Sequence, residues 1–350
     1  MQLIVSTTAL KNKYGTTSQQ ILELIQALGP VTDVSGLTAS KIQAQIAKLP
    51  AAEVVCLVGG YDIVPAFRRK NPTSHLSGDD DASIPTDAPY GGAPGVVEDE
   101  YAPARVVSRI PDSADKNAAE FLRILGCQKS AAATKTPAKT YEEAANEFKG
   151  AAGYVHKFVR VNGAPPSLSP PWLITNPNPV PLLTGGGRVH ILLHGANFAP
   201  EWSSLFGRST SDPKGVYPEA LSAPTIGKCS LTGSVVTFSS CYAAMLDGAG
   251  GRTSANQVAL ACLASGAKVV VCSTRSNWIQ TRAPYSGLGP GLVARFWKKL
   301  ATKGTTAGEA FVSAKQAFLK SGLAGDPGDH PYILKTVLQA QLYGHPEATL

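Results

Sequence analysis

The sequence predicts an α/β fold in which helices cover both faces of a mostly parallel sheet. Short runs of Val, Ile and Leu alternate along the chain with longer segments whose apolar residues recur at helical spacing. The apolar runs are nearly continuous, which is typical of strands buried on both faces. Hydrophobic residues make up 43% of the 350 residues and charged residues 16%, so the chain can bury a sizeable core.

The order of these segments is strand and helix in turn, the pattern of parallel strands joined by helical crossovers. Thr17, Ser113 and Thr253 stand at the starts of helical segments and are of types that cap helices. The predicted strands are residues 2–6, 53–58, 104–108, 188–193, 234–239 and 267–273. The predicted helices are residues 18–28, 39–48, 113–125, 140–158, 254–265, 291–301 and 306–321.

Two long segments interrupt the alternation. Residues 70–95 are rich in Pro, Gly, Ser and Asp, and residues 164–187 contain PPSLSPPW, NPNPVP and GGG. Such segments on an α/β scaffold are long loops, which often carry function. We therefore predict an N-terminal α/β half at 1–130, a helix and Pro/Gly-rich connector at 131–184, and a C-terminal half at 185–350. The two halves could still form one compact unit.

Composition argues against several classes of protein. The formal net charge is +7, but no run of five or more basic residues occurs, so we expect no nucleic-acid partner. The six cysteines form no CxxC pair, which argues against a zinc ribbon or a thioredoxin-type site. No apolar run approaches the roughly 20 residues of a membrane span, and the start does not resemble a signal peptide. We expect a cytoplasmic protein without a membrane partner, or a fragment of a longer secreted one.

Two apolar runs end in residues that can carry chemistry. The run RVHILLHG ends in His194 and Gly195, and the run SVVTFSSC ends in Cys241. Ligands of open parallel sheets bind outside the carboxyl ends of the strands, so an imidazole and a thiol are expected at one sheet edge. Their separation of 47 positions leaves room for one crossover, so the two strands could be neighbours.

A thiol beside an imidazole is the arrangement of a cysteine nucleophile. A nearby His can activate the thiol and then protonate a leaving amine. The backbone N–H groups of Gly195 and Cys241 could form an oxyanion hole. The small residues Ser239 and Ser240 would leave space for a peptide. The sequence therefore predicts a catalytic pair of His194 and Cys241 that needs no cofactor.

This order of motifs resembles the caspase-like clan of cysteine peptidases, and most of all its gingipain-type family. The matching segments are VCLVGGYDIVP at 55–65, TDAPYG at 86–91, VVSRIP at 106–111, GAKVVVCSTR at 266–275 and LYGHP at 342–346. Ser108 and His345 depart from the family pattern, where Gly and Asp are usual. The resemblance implies a caspase-like three-layer sandwich, with a mostly parallel central sheet flanked by helices, that hydrolyses protein or peptide substrates.

The resemblance also implies that substrate lies along the segment after the nucleophile strand. That segment contains Arg275, Ser276 and Trp278, and Trp278 could form a wall of the S1 pocket. Family members often prefer a basic P1 residue, which needs a carboxylate in the pocket. The sequence does not decide among Asp87, Asp62 and Asp247 as this carboxylate, and it favours a basic P1 residue. Arg275 argues the other way, because a basic pocket would select acidic P1 residues.

Alternatives remain for several residues. Cys241 could be a buried structural thiol, and His190 shares the strand face of His194 but lies mid-strand. The acidic run Asp79–Asp81 could bind a structural calcium ion, although its spacing is not that of an EF-hand; no other metal is expected. The chain could also be an inactive caspase-like interaction module, or a transpeptidase that uses the same pair. The sequence does not indicate the oligomeric state.

Overall fold

The computed structural model describes residues 1–76, 78–96, 100–160, 165–170, 180–197, 203–212, 216–247 and 251–350. The strands are Gln2–Val5 (β1), Val31–Asp33 (β2), Val55–Val58 (β3), Phe67–Lys70 (β4), Ser83–Thr86 (β5), Val107–Ile110 (β6), Thr140–Ala145 (β7), Ser167–Ser169 (β8), Arg188–Leu192 (β9), His194–Gly195 (β10), Ser204–Phe206 (β11), Glu219–Ser222 (β12), Val235–Phe238 (β13), Val269–Ser273 (β14) and Ala340–Gly344 (β15).

The helices are Thr7–Tyr14 (α1), Ser18–Gln26 (α2), Ala39–Ile46 (α3), Ala118–Ala131 (α4), Lys149–Val159 (α5), Val180–Leu183 (α6), Ala223–Ile226 (α7), Val258–Ala264 (α8), Leu288–Leu300 (α9), Ala307–Leu323 (α10) and His330–Gln339 (α11). Short 3-10 turns cover Gly15–Thr17, Ala88–Gly91, Asn146–Phe148 and Pro327–Asp329. Part of the Pro/Gly-rich loop predicted at 164–187, namely 164 and 171–179, lies outside the described residues.

Ten strands form one sheet in the order β2-β1-β3-β6-β15-β14-β13-β9-β7-β8. Strands within each set of five are parallel, and the two sets meet at the antiparallel pair β14 and β15. All three segments that the sequence divides, 1–130, 131–184 and 185–350, contribute strands to this sheet. The prediction of a mostly parallel α/β sheet flanked by helices is confirmed.

Alternating residues of the central strands face two different helix layers. Val235 and Val269 pack in one apolar cluster, whereas Val236 and Val270 pack in the other. This alternation follows from the two-residue period of a strand, and it explains why the strand sequences are apolar throughout. Helices α5, α9, α10 and α11 contact one another in one layer, and α1, α2, α4 and α8 form the other. The result is a three-layer sandwich.

One predicted helix is wrong in a way that matters for the site. Residues 140–158 were expected to be helical, but Thr140–Ala145 is strand β7, and helix α5 begins only at Lys149. The segment TYEEAA contains good helix formers, yet β7 pairs in register with β9 and buries five of its six residues. The strand predicted at 104–108 is also displaced, to Val107–Ile110. Tertiary pairing overrides local propensity in both cases.

Candidate active site

Four neighbouring strands end at the same edge of the sheet and carry the residues of interest. Ile191 of β9 is aligned with Phe238 of β13, so the predicted neighbours are confirmed, and the next residues bring His194 and Cys241 to adjacent strand ends. Strand β7 lies on the far side of β9 and leads to Glu147, whereas β14 lies beside β13 and leads to Asn277. Along this edge, the ends of the four strands therefore bring together a carboxylate, an imidazole, a thiol and the segment that follows β14.

His194 is held by a carboxylate and two aromatic rings. Its Nε2 lies 2.5 Å from Oε1 of Glu147, which accepts the hydrogen bond. The imidazole packs against Phe148 and Tyr217, with ring centroids 4.7 and 5.1 Å away. Arg208 contacts the other oxygen of Glu147 at 3.4 Å. Because Nε2 carries the proton that is shared with Glu147, Nδ1 is the nitrogen left to act as a base.

Burial lowers the pKa of His194 below its usual 6.5. The carboxylate of Glu147 opposes this effect, and the positive charge of Arg208 adds to it. The side chain of His194 is 25% exposed, so a substrate can reach the ring. At neutral pH the imidazole is therefore uncharged and ready to accept a proton.

The sulfur of Cys241 lies among backbone groups. The N–H of Asn277 donates to Sγ at 3.2 Å, and the N–H of Gly195 also points to the sulfur. Burial raises the pKa of the thiol above its usual value, while these two donors and the charge of Lys335 partly offset the rise. Cys241 is thus a protonated thiol at rest rather than a preformed thiolate.

The two catalytic candidates are adjacent but are not hydrogen-bonded to each other in the part of the chain described. His194 bonds to Glu147, and the sulfur of Cys241 faces Asn277 and Gly195. Both groups are neutral at rest, so an attack by this sulfur would require the thiol proton to move to His194. This differs from a resting ion pair, in which the thiolate exists before the substrate arrives.

The backbone around Cys241 can form an oxyanion hole. Within the described ranges the N–H of Cys241 has no hydrogen-bond partner, and the N–H of Gly195 faces the same space. A Cβ at position 195 would overlap the carbonyl oxygen of Cys241, so only glycine fits there. Tyr242, the residue after the nucleophile, has a φ of 56°, a left-handed conformation that is costly for tyrosine.

The acidic loop contacts the substrate segment instead of solvent. The N–H of Ser276 donates to Oδ2 of Asp81 at 3.0 Å, and its hydroxyl donates to Asp79 at 3.2 Å. Lys335 is fully buried; it bonds to Asp79 and lies 3.7 Å from Asp81. Its ammonium thus pairs with two of the three carboxylates in the run that the sequence suggests for calcium. Among the described residues, no cluster of three His, Cys, Asp or Glu side chains could hold a metal.

The other charged candidates are also paired within the protein. Asp247 accepts two hydrogen bonds from Arg275, at 2.9 and 2.7 Å, and one from Arg68. Asp87 forms a buried pair with Arg109, at 2.8 and 2.7 Å, and has no contact with the catalytic pair. Arg275 and Asp87 were predicted to bind substrate, but each is buried and saturated by its partner. Asp62, a third candidate carboxylate, pairs with Lys13 at 2.8 Å.

Three polar residues near the nucleophile strand have structural roles. Ser239 and Ser240, whose small size is predicted to leave space for a peptide, have fully buried side chains. The hydroxyl of Ser240 accepts the N–H of Leu193 at 3.2 Å and ties the two strand ends together. His190 is buried against Thr237, and burial lowers its pKa to about 3. It therefore stays neutral inside the sheet.

Sequence reasoning missed Glu147 and Asn277. Glu147 lies in a segment expected to be helical, and its role becomes visible only once β7 is placed beside β9. Asn277 acts through its backbone N–H, which no residue pattern can reveal.

Within the described ranges, no helix is both long enough and apolar enough to cross a membrane.

Comparison with solved structures finds the same fold in two proteases. A structure described only as a protease superimposes with a TM-score of 0.66 and 13% identity, over 99% of this chain and 78% of the other. The complex of the pro- and mature domains of gingipain RgpB from Porphyromonas gingivalis gives a TM-score of 0.62 and 12% identity, over 100% and 79%. At these identities the likeness shows the fold alone. No protein-family model matches the sequence, and no curated protein does.

Proposed function

We propose that this chain is a cysteine endopeptidase with Cys241 as nucleophile and His194 as acid and base. The supporting observation is that Glu147, His194 and Cys241 lie at one sheet edge, with a glycine amide facing the sulfur. The sequence resemblance and the protease fold of the structural neighbours agree with this proposal. It needs no cofactor.

The substrate strand would lie along the segment after β14. The carbonyl oxygen of Ser276 accepts no backbone hydrogen bond from the described residues, and that of Asn277 accepts a weak S–H···O contact from Cys241 at 3.6 Å, so both could receive N–H groups of a peptide. A peptide bound there would bring its scissile carbonyl to the sulfur, because the N–H of Asn277 is 3.2 Å from Sγ. This placement turns a bimolecular attack into an intramolecular one.

The reaction then follows from the positions of the groups. Nδ1 of His194 removes the thiol proton as the sulfur of Cys241 attacks the carbonyl carbon. The sulfur leaves the N–H of Gly195, which then stabilises the oxyanion together with the N–H of Cys241. His194 returns the proton to the leaving amine, and the acyl-enzyme remains. Water, deprotonated by His194, hydrolyses the thioester and restores the thiol.

Two substitutions test this proposal. Cys241→Ala is expected to abolish cleavage of a mixed peptide library while leaving the melting temperature nearly unchanged. Cys127→Ala is the matched control, since Cys127 is also a partly exposed free thiol but lies on α4. His194→Ala should also abolish cleavage. Full activity of purified Cys241→Ala would refute the proposal, and a wild-type chain that cleaves nothing would instead indicate an inactive interaction module.

The same experiment separates hydrolysis from transpeptidation. With an added amine nucleophile, a transpeptidase would give amide products in place of free carboxylates, and mass spectrometry of the products distinguishes the two.

The preference for a basic P1 residue that the sequence suggests stays a prediction. The charges at this sheet edge do not support it, because each candidate carboxylate is paired.

A further inference from the structure

A cavity of about 450 Å³ lies beside the segment that contacts the nucleophile. Asn277 donates its N–H to the sulfur of Cys241, and the next residue, Trp278, forms a wall of the cavity. The volume is within the range of small-molecule pockets, about 300–1,000 Å³. The large side chains of the cavity wall include two aromatic and three aliphatic ones, and the polar residues Gln280, Thr281, Arg282 and Asp329 also line it; the apolar side chains are those of Trp278, Ile279, Leu288, Tyr332 and Ile333.

The cavity is held open by the chain itself. The N–H of Gly289 donates to the carbonyl of Trp278 at 3.3 Å, and the N–H of Gly287 donates to Oε1 of Gln280 at 3.0 Å. The rings of Trp278 and Tyr332 meet edge to face with centroids 5.1 Å apart. These contacts close the loop before α9 on itself, so a ligand would enter a preformed space without having to order it.

The charged residues that line the cavity do not favour a ligand of either sign. Among its described lining residues, Arg282 and Asp329 are the charged ones; both are exposed and opposite in sign. The carboxylates of Asp79 and Asp81, which contact Ser276, pair with Lys335, and Asp247 pairs with Arg68 and Arg275. A Lys, Arg, Asp or Glu side chain in the cavity would lose hydration and would meet a charge of its own sign as well as an opposite one.

We propose that this cavity receives the P1 side chain and selects bulky, uncharged, apolar residues. The inference rests on the proposed peptidase function and names its substrate class. An apolar side chain gains by leaving water for an aromatic and aliphatic wall. The position fits P1, because the wall begins at the residue that follows the amide facing the nucleophile.

A peptide library with P1 varied through all side chains tests the proposal on the wild-type chain. Phe, Leu, Tyr and Met at P1 should give kcat/KM values at least about 50-fold above those of Arg, Lys, Asp and Glu. A preference for a charged P1 residue, or equal rates for all, would overturn the inference while the peptidase function stands. A library that is not cleaved at all would overturn both.

A charge placed in the cavity gives a second, gain-of-function test. Leu288 lines the cavity with a φ of 57°, and Asp and Asn tolerate that left-handed conformation better than other residues do. Leu288→Asp should raise kcat/KM for Arg and Lys at P1 by about 10-fold relative to Leu288→Asn, its uncharged match. Equal basic-P1 rates in the two variants would show that the P1 side chain lies elsewhere.

The aromatic wall can be removed without adding charge. Trp278→Ala should reduce the preference for Phe over Ala at P1 by about 10-fold, because much of the apolar surface of the cavity is lost. Trp278→Phe keeps an aromatic ring and should retain most of that preference. If the two variants show the same P1 profile as the wild-type chain, the cavity does not bind the P1 side chain.

Discussion

Replacing Glu147 by Gln tests whether this carboxylate orients and supports the imidazole of His194. The hydrogen bond between them is 2.5 Å long, and both side chains are largely buried, at 11% and 25% exposure. A hydrogen bond to a charged group contributes about 1.5–3 kcal/mol. Since about 1.4 kcal/mol corresponds to a tenfold change in rate, kcat/KM should fall by roughly 10- to 150-fold in Glu147→Gln.

The pH dependence provides a separate readout. Glu147 raises the pKa of His194 against the effect of burial, so its removal should lower that pKa further. His194 must be neutral to accept the thiol proton, so the acid limb of kcat/KM should move to lower pH. Both quantities come from initial rates on one cleaved peptide between pH 4 and 8.

A matched control lies five residues earlier in the chain. Glu142 on β7 forms a similar pair with His156, at 2.6 Å, within the helix layer of α5 rather than at the strand ends. Glu142→Gln should leave the acid limb where it is in the wild-type chain. If Glu147→Gln retains the wild-type rate and acid limb, the carboxylate does not act on His194, and the reasoning from this contact is wrong.

Three more predictions follow from single contacts. Gly195→Ala should cut kcat/KM at least 100-fold and lower the melting temperature, because its Cβ overlaps the carbonyl oxygen of Cys241; an active, equally stable variant would contradict this. Iodoacetamide labelling of Cys241, followed by peptide mapping, should still accelerate above pH 9, since burial raises the pKa of the thiol; a plateau reached by pH 7 would show a thiolate at rest. Burial lowers the pKa of Lys315 from 10.5 to about 7 in the folded state, so between these two pH values the unfolded chain binds the proton more tightly than the folded one does. The folded state therefore loses up to about 4–5 kcal/mol of stability as the pH falls from 10.5 to 7. Lys315→Met should therefore stabilise the protein at pH 7 in urea unfolding and remove that part of the pH dependence; an unchanged or lower midpoint would argue against it.

The catalytic strands are predictable because their signal is local. The runs that end in His194 and Cys241 are apolar up to the last residues. Because β9 and β13 are aligned in register and the two runs extend equally far beyond the last aligned residues, His194 and Cys241 come to lie at adjacent strand ends. The rule that ligands bind at the carboxyl ends of parallel strands then supplies the site. The fold class could be predicted for the same reason, since continuous apolar strands alternate with helices through most of the chain.

The neighbours of the catalytic pair are not predictable in this way. Glu147 belongs to a segment whose composition favours helix, and only pairing with β9 makes the preceding residues a strand. The ion pair of Asp79 and Lys335 joins residues more than 250 positions apart, so no spacing in the sequence indicates it. The three carboxylates considered for a basic P1 residue, those of Asp62, Asp87 and Asp247, are likewise paired by tertiary contacts that no sequence pattern indicates.

The direction of β15 has a consequence for the order in which the candidate site assembles. This strand comes after the catalytic residues in the chain, yet it runs parallel to β6 of the N-terminal set and antiparallel to β14. Helix α11, which precedes it, carries Lys335 to the loop beside the nucleophile. During synthesis both segments leave the ribosome after the strand that carries Cys241, so a growing polypeptide already holds Cys241 but lacks the piece that joins the two sets of strands. The candidate site therefore stays incomplete until this region has been translated.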